Sequence, residues 1–126
     1  MANSTVSLPV FFCLLLLLSF DSVFLTKISC KQGKTWCVAK PSTDDAALAS
    51  DIESACNYIG TKGGNCKPIQ PGGACYDPNT LINHASFVMN AYYQDNHAQE
   101  HACYFTNSGL ITISDPSNSL CQTLIL

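Results

Sequence analysis

Arginine is missing from this sequence, so all six cationic side chains are lysines. Phosphate recognition leans on guanidinium and ammonium groups, and nine carboxylates outnumber these cations, which excludes nucleic acid as an expected partner. No CxxC pair occurs, so the cysteines lack the usual spacing of zinc ligands. His97 and His101 are four apart and could share a helix face, but no third ligand accompanies them, so no metal is expected. There is no G-x-S-x-G. Gly63-Gly64 follows no strand signal and precedes no GK[ST], which leaves it a turn rather than a phosphate cradle. Glycoside hydrolysis needs two carboxylates flanking the scissile bond. Here Asp44, Asp45, Asp77 and Asp115 have helix-start or turn duties, and Glu53 and Glu100 lie on segments with no active-site signature. The expected class is a non-catalytic binding module whose surface works through amides, hydroxyls and rings.

Long apolar runs are also scarce, with one exception. Val6–Phe20 is continuous, N-terminal and shorter than a comfortable membrane span. It reads as a secretory signal peptide covering residues 1–30, although MANST before it carries no Lys or Arg. The rival reading is a membrane anchor extended through Leu25. A single domain, 31–126, follows. Of eight cysteines, Cys13 lies in the signal and Cys30 at its edge. Cys37, Cys56, Cys66, Cys75, Cys103 and Cys121 remain, an even set that implies three disulfides with fifteen possible connectivities. The Gly/Pro-rich stretch Thr61–Ala74 is best read as a tight loop closed by a Cys66–Cys75 bridge. Only Gln122–Leu126 follows Cys121, too little for a GPI signal.

The organising segment is Gly72–Gln94. Asp77-Pro78 reads as an N-cap followed by Pro at the first helical position. At 100° per residue, Leu81, Ile82, Ala85, Val88, Met89 and Tyr92 form one apolar face. Asn83, Asn90 and Gln94 occupy the opposite face, bordered by Phe87 and Tyr93. Amides beside rings suit a neutral, hydroxyl-rich ligand. An earlier helix of roughly fifteen residues is expected from the Ser42/Thr43 cap to Gly60, with Leu48, Ile52, Ala55 and Ile59 inward. Thr35–Val38 is β-prone, and Trp36 beside a cysteine reads as a packed ring. Cys103–Thr106 and Leu110–Ile113 read as a hairpin around Asn107-Ser108-Gly109. His84 reads as a buried structural histidine.

Several motifs then coincide in order: WCV at Trp36–Val38, the six-cysteine spacing, GGACYDPNT at Gly72–Thr80, HASFVMNAYYQ at His84–Gln94 and DPS at Asp115–Ser117. Together they resemble plant carbohydrate-binding module family 43, the X-eight domain, over about Lys34 to Cys121. The resemblance implies an α+β fold of two helices and a short antiparallel sheet. It implies the disulfides Cys37–Cys103, Cys56–Cys121 and Cys66–Cys75. It further implies a secreted cell-wall module, of the stand-alone type found among callose-binding proteins and small pollen allergens, that binds β-1,3-glucan without cleaving it. Tyr76, Asn83, Phe87, Asn90, Tyr93 and Gln94 are then the expected sugar contacts, with Phe87 standing where the family motif has Tyr. The expected partners are β-1,3-glucan and a glucanase acting in trans. The mature chain is expected to be monomeric, unanchored and free of any cofactor. The alternative is a small secreted lipid-binding or defence protein, against which stands the lack of the Cys-Cys and Cys-x-Cys pairs of plant lipid-transfer proteins.

Overall fold

In the computed structural model, residues 33–117 and Cys121 are described. The proposed signal segment lies outside them. The order of elements is β1 (Trp36–Ala39), α1 (Asp45–Thr61), α2 (Leu81–Asp95) and β2 (Gly109–Thr112), with short 3-10 turns at Lys67–Ile69, Glu100–Cys103 and Phe105–Asn107. This is the α+β architecture expected, with the two strands antiparallel and Trp36 opposite Thr112.

Helix α1 starts one residue later than the Ser/Thr cap suggests. The Asp44 carboxylate accepts the Ala47 N–H at 2.8 Å, and Asp45 lies in the first turn, where the helix dipole favours a negative charge. Its apolar stripe holds: Leu48 and Ala55 are buried, and Ile52 and Ile59 pack against the core. The helix runs through Gly60 to Thr61. Helix α2 is capped by Thr80, whose hydroxyl accepts the Asn83 N–H at 3.3 Å, and not by Asp77. The Asp77-Pro78 peptide is cis, and the pair precedes the Thr80 cap.

Helix α2 is buried nearly all round. Ala85, Met89 and Tyr93 join Cys37, Ala39, Leu48 and Cys103 in one apolar cluster, while Phe87 and Val88 join Ala55, Ile69 and Cys75 in a second. A helix with apolar contacts on two sides sits between layers rather than on a surface. At its far end the Tyr58 hydroxyl of α1 donates to Asp95 at 2.7 Å, and its ring meets Tyr92 edge-on.

The disulfides are Cys37–Cys103, Cys56–Cys66 and Cys75–Cys121. The first is the expected pair; the other two correct the implied Cys56–Cys121 and Cys66–Cys75. The reason is local. After α1 the chain reverses at Gly63, whose φ of +80° costs glycine least, and Gly64 donates back to Ile59 O. That reversal returns Cys66 to the side of Cys56, with a Cα–Cα distance of 5.8 Å. Cys75 is meanwhile held inward by its N–H bond to Pro68 O, where Cys121 meets it.

The expected hairpin is also corrected. Strand β2 pairs with β1, while residues 103–107 form 3-10 turns. Phe105, Thr106 and Asn107 all have positive φ, between 43° and 71°, which no extended strand contains. The Cys37 bridge holds the chain beside β1 just before this turn, so Gly109–Thr112 finds β1 as its neighbour.

Candidate functional site

The face of α2 expected to meet a ligand is turned toward β1. Asn90, 1% exposed, accepts the Cys37 N–H on Oδ1 at 3.0 Å. Ser86 Oγ accepts the Ala39 N–H at 3.0 Å, and Gln94 Nε2 donates to Thr35 O at 2.8 Å. Tyr93, 2% exposed, shares a 2.8 Å hydrogen bond with the Thr35 hydroxyl. With β2 on one side of β1, the polar groups of α2 satisfy the other side, where a third strand would otherwise lie. Buried backbone N–H and C=O groups must both find partners. Ser86 and Asn90 supply acceptors and Gln94 a donor, and, spaced by four, they lie along one line of the helix.

The other expected contacts divide. Phe87 is 8% exposed within the second apolar cluster. Asn83 Nδ2 donates to Pro78 O at 3.2 Å, closing the turn that leads into α2. Tyr76 is half-buried, its ring 5.5 Å from that of His84 and its carbonyl accepting from His84 Nε2 at 2.8 Å. That bond makes His84 a buried, hydrogen-bonded structural residue.

Asn83, Phe87 and Asn90 do converge on one crevice with Ser86, Pro116 and Ser117. Asn90 lines it, and its buried Nδ2 makes no hydrogen bond with the described residues. The cavity is about 60 Å3. Ligand sites usually enclose about 300–1,000 Å3. This one has room for ordered water on an amide, but not for a sugar ring.

A larger space opens elsewhere. A shallow groove of about 850 Å3 is bordered by Lys40, the Glu100–Cys103 turn, Tyr104, Asn107 and the start of β2. Tyr104 is 63% exposed, with Leu110 and Ile111 also open to solvent. Lys40 Nζ donates to Asn107 Oδ1 at 2.6 Å, and the Lys40 N–H to Ser108 O at 2.7 Å. Sequence reading missed this surface because it laid residues 103–106 out as a strand. The available signal was Asn107-Ser108-Gly109, which marks a turn whatever precedes it.

Asp51 of α1 lies beside Ser108, the residue between Asn107 and Gly109 of the groove. Burial pushes its carboxyl above the usual range, opposed in part by a hydrogen bond from the Ser108 side chain, and its Oδ2 has no hydrogen-bond partner among the described residues. A raised folded-state value means that the folded chain holds this proton more tightly. Its contribution to stability is therefore present at acid pH and lost as pH rises through the raised value. Asp51→Asn removes that titration. The difference in Tm between about pH 4 and pH 7 is expected to shift in favour of neutral pH relative to the parent; an unchanged difference on thermal melts would exclude Asp51 as the source.

Among the described residues, no group of three or more His, Cys, Asp or Glu could hold a metal ion, and no helix is long and apolar enough to cross a membrane. The groove has one carboxylate, Glu100, where glycoside hydrolysis needs two.

Comparison with known proteins bears on the whole domain. The chain is 48% identical over 90 residues to a glucan endo-1,3-beta-glucosidase of Triticum aestivum, covering 71% of this chain and 18% of that protein. It is 46% identical over 94 residues to the major pollen allergen Ole e 10 of Olea europaea, covering 74% of each. It is 43% identical over 91 residues to plasmodesmata callose-binding protein 5 of Arabidopsis thaliana, covering 72% of this chain and 49% of that one. No solved structure matches it. The X8 domain matches residues 35–110, from β1 through the 3-10 turns into β2. With the pollen allergen alike over three quarters of both lengths, the chain belongs to the X8 domain family.

Proposed function

We propose that this protein is a secreted, non-catalytic module that binds β-1,3-glucan in the plant cell wall. The observation that carries the reading is the likeness, across the whole folded domain, to proteins named for glucan hydrolysis and for callose binding. The enzymes extend far beyond the shared segment, which is 18% of the Triticum glucosidase. Binding is therefore the property that the shared domain is proposed to contribute. The groove chemistry agrees, with an exposed ring, an amide and a single carboxylate. Residues 1–30 are proposed to be removed on secretion, and the mature chain to act as a monomer, with a separate glucanase acting on the same polymer. The α2 side chains Asn90, Tyr93 and Gln94 are proposed to serve recognition indirectly, by docking β1.

The test is a pull-down of oxidised mature protein on insoluble β-1,3-glucan, with cellulose and xylan alongside. Selective retention on β-1,3-glucan is the expected result. No retention by a protein with all three disulfides formed would overturn the proposal.

A further inference from the structure

We propose that the groove over Tyr104 is where the glucan chain lies, with Tyr104 as the stacking ring and Asn107 as the hydroxyl-reading amide. This rests on the β-1,3-glucan reading above and assigns its site. Stacking on a sugar needs an exposed ring face. Of the described aromatic side chains, Trp36, Phe87 and Tyr93 are buried, and Tyr58, Tyr76, Tyr92 and Phe105 are half-buried. Tyr104 alone is exposed, and it makes no ring contact with the described residues.

The backbone around it is held in an uncommon way. Cys103, 3% exposed, is bridged to Cys37, and three consecutive non-glycine residues follow Tyr104 in the left-handed region. Such conformations are strained for residues with a Cβ and persist where the surroundings impose them, often at binding sites. Here they send Phe105 inward, its ring 5.4 Å from Tyr92, and leave Tyr104 outside.

The amide is oriented by chemistry. An ammonium group only donates, so Lys40 requires the Asn107 oxygen, and the Asn107 NH2 is left to face another acceptor. That NH2 makes no hydrogen bond with the described residues, and sugar hydroxyls are ready acceptors. His101 and Glu100, which also line the groove, can donate and accept in turn. Size separates this site from the crevice, which is too small for a ligand, whereas the groove falls within the usual range. A third hollow of about 470 Å3, beside Lys67 and Pro68, has Phe87 as its only ring, and that ring is buried.

The test uses the oxidised mature chain on insoluble β-1,3-glucan, comparing the parent with Tyr104→Ala, Tyr104→Trp, Asn107→Asp and Ser117→Ala. Tyr104→Ala is expected to weaken binding by roughly tenfold with an unchanged melt, because the ring lies outside the core. Tyr104→Trp should retain binding. Asn107→Asp keeps a residue tolerant of positive φ but removes the NH2, and should lose roughly threefold to tenfold. Ser117→Ala, in the crevice, should bind as the parent does. A retained parent with an equally retained Tyr104→Ala would overturn the groove while leaving the glucan reading standing. A parent that is not retained overturns both.

Discussion

Cys37→Ser is expected to be the most destabilising single change in the chain. The bridge spans 66 residues between two side chains that are 0% and 3% exposed. In the chain-entropy model, releasing a loop of that length costs about 4 kcal/mol. A domain of this size typically holds only about 5–15 kcal/mol in total. The substitution also buries a serine hydroxyl and a free Cys103 thiol in an apolar cluster. The expected Tm decrease is about 15–30 °C, read by circular dichroism under oxidising conditions. Cys56→Ser opens a separation of only 10 residues and should cost less, about 3 kcal/mol. Equal losses for the two variants would show that loop length does not set the scale.

Gly109→Ala is expected to come next, and it acts at the same node. A Cβ built on Gly109 would lie 1.8 Å from the Cys103 carbonyl oxygen and 3.1 Å from its Sγ. Neither atom can swing away, because Cys103 is fixed by its bridge and its 3-10 turn. Something in the backbone must move, and Gly109 is also the partner of Ala39 in the β1–β2 ladder. The cost should be at least about 3 kcal/mol, at the upper end of overpacking. Glucan retention should fall with Tm, since the groove is built on this corner. Gly60→Ala is the contrast: a Cβ there meets nothing within 4 Å, and inside α1 it should raise stability by about 0.5–1 kcal/mol. A Gly109→Ala chain that melts like the parent would mean that the close approach can relax without cost.

Local signals were readable along the chain because their causes are local. The α1 start was legible to within a residue, with Asp44 capping in place of the expected Ser42 or Thr43, and the Leu48–Ile59 stripe faces the core as its spacing requires. The α2 apolar face, the β-prone Trp36–Ala39 segment and the structural role of His84 also follow from short-range chemistry. The ring of Trp36 is 8% exposed. Where propensity alone was used across a turn, at Cys103–Thr106, the expectation failed. Consecutive positive φ values there are imposed by the neighbouring disulfide corner, and no residue in that run announces them.

The sequence by itself determined the class: an α+β domain with an even set of six cysteines, no arginine, and a family resemblance spanning Lys34 to Cys121. Tertiary structure alone decided which cysteines meet and which polar groups face outward. Periodicity places Asn90, Tyr93 and Gln94 opposite an apolar stripe, but does not say whether solvent or another backbone lies there. It is β1 and the residue before it. The Cys37 N–H draws in Asn90 and the Ala39 N–H draws in Ser86, because an orphaned buried donor costs more than an amide lost from the surface, while Tyr93 and Gln94 bond the Thr35 hydroxyl and carbonyl. The exposed ring is left at Tyr104, on a turn rather than on the helix.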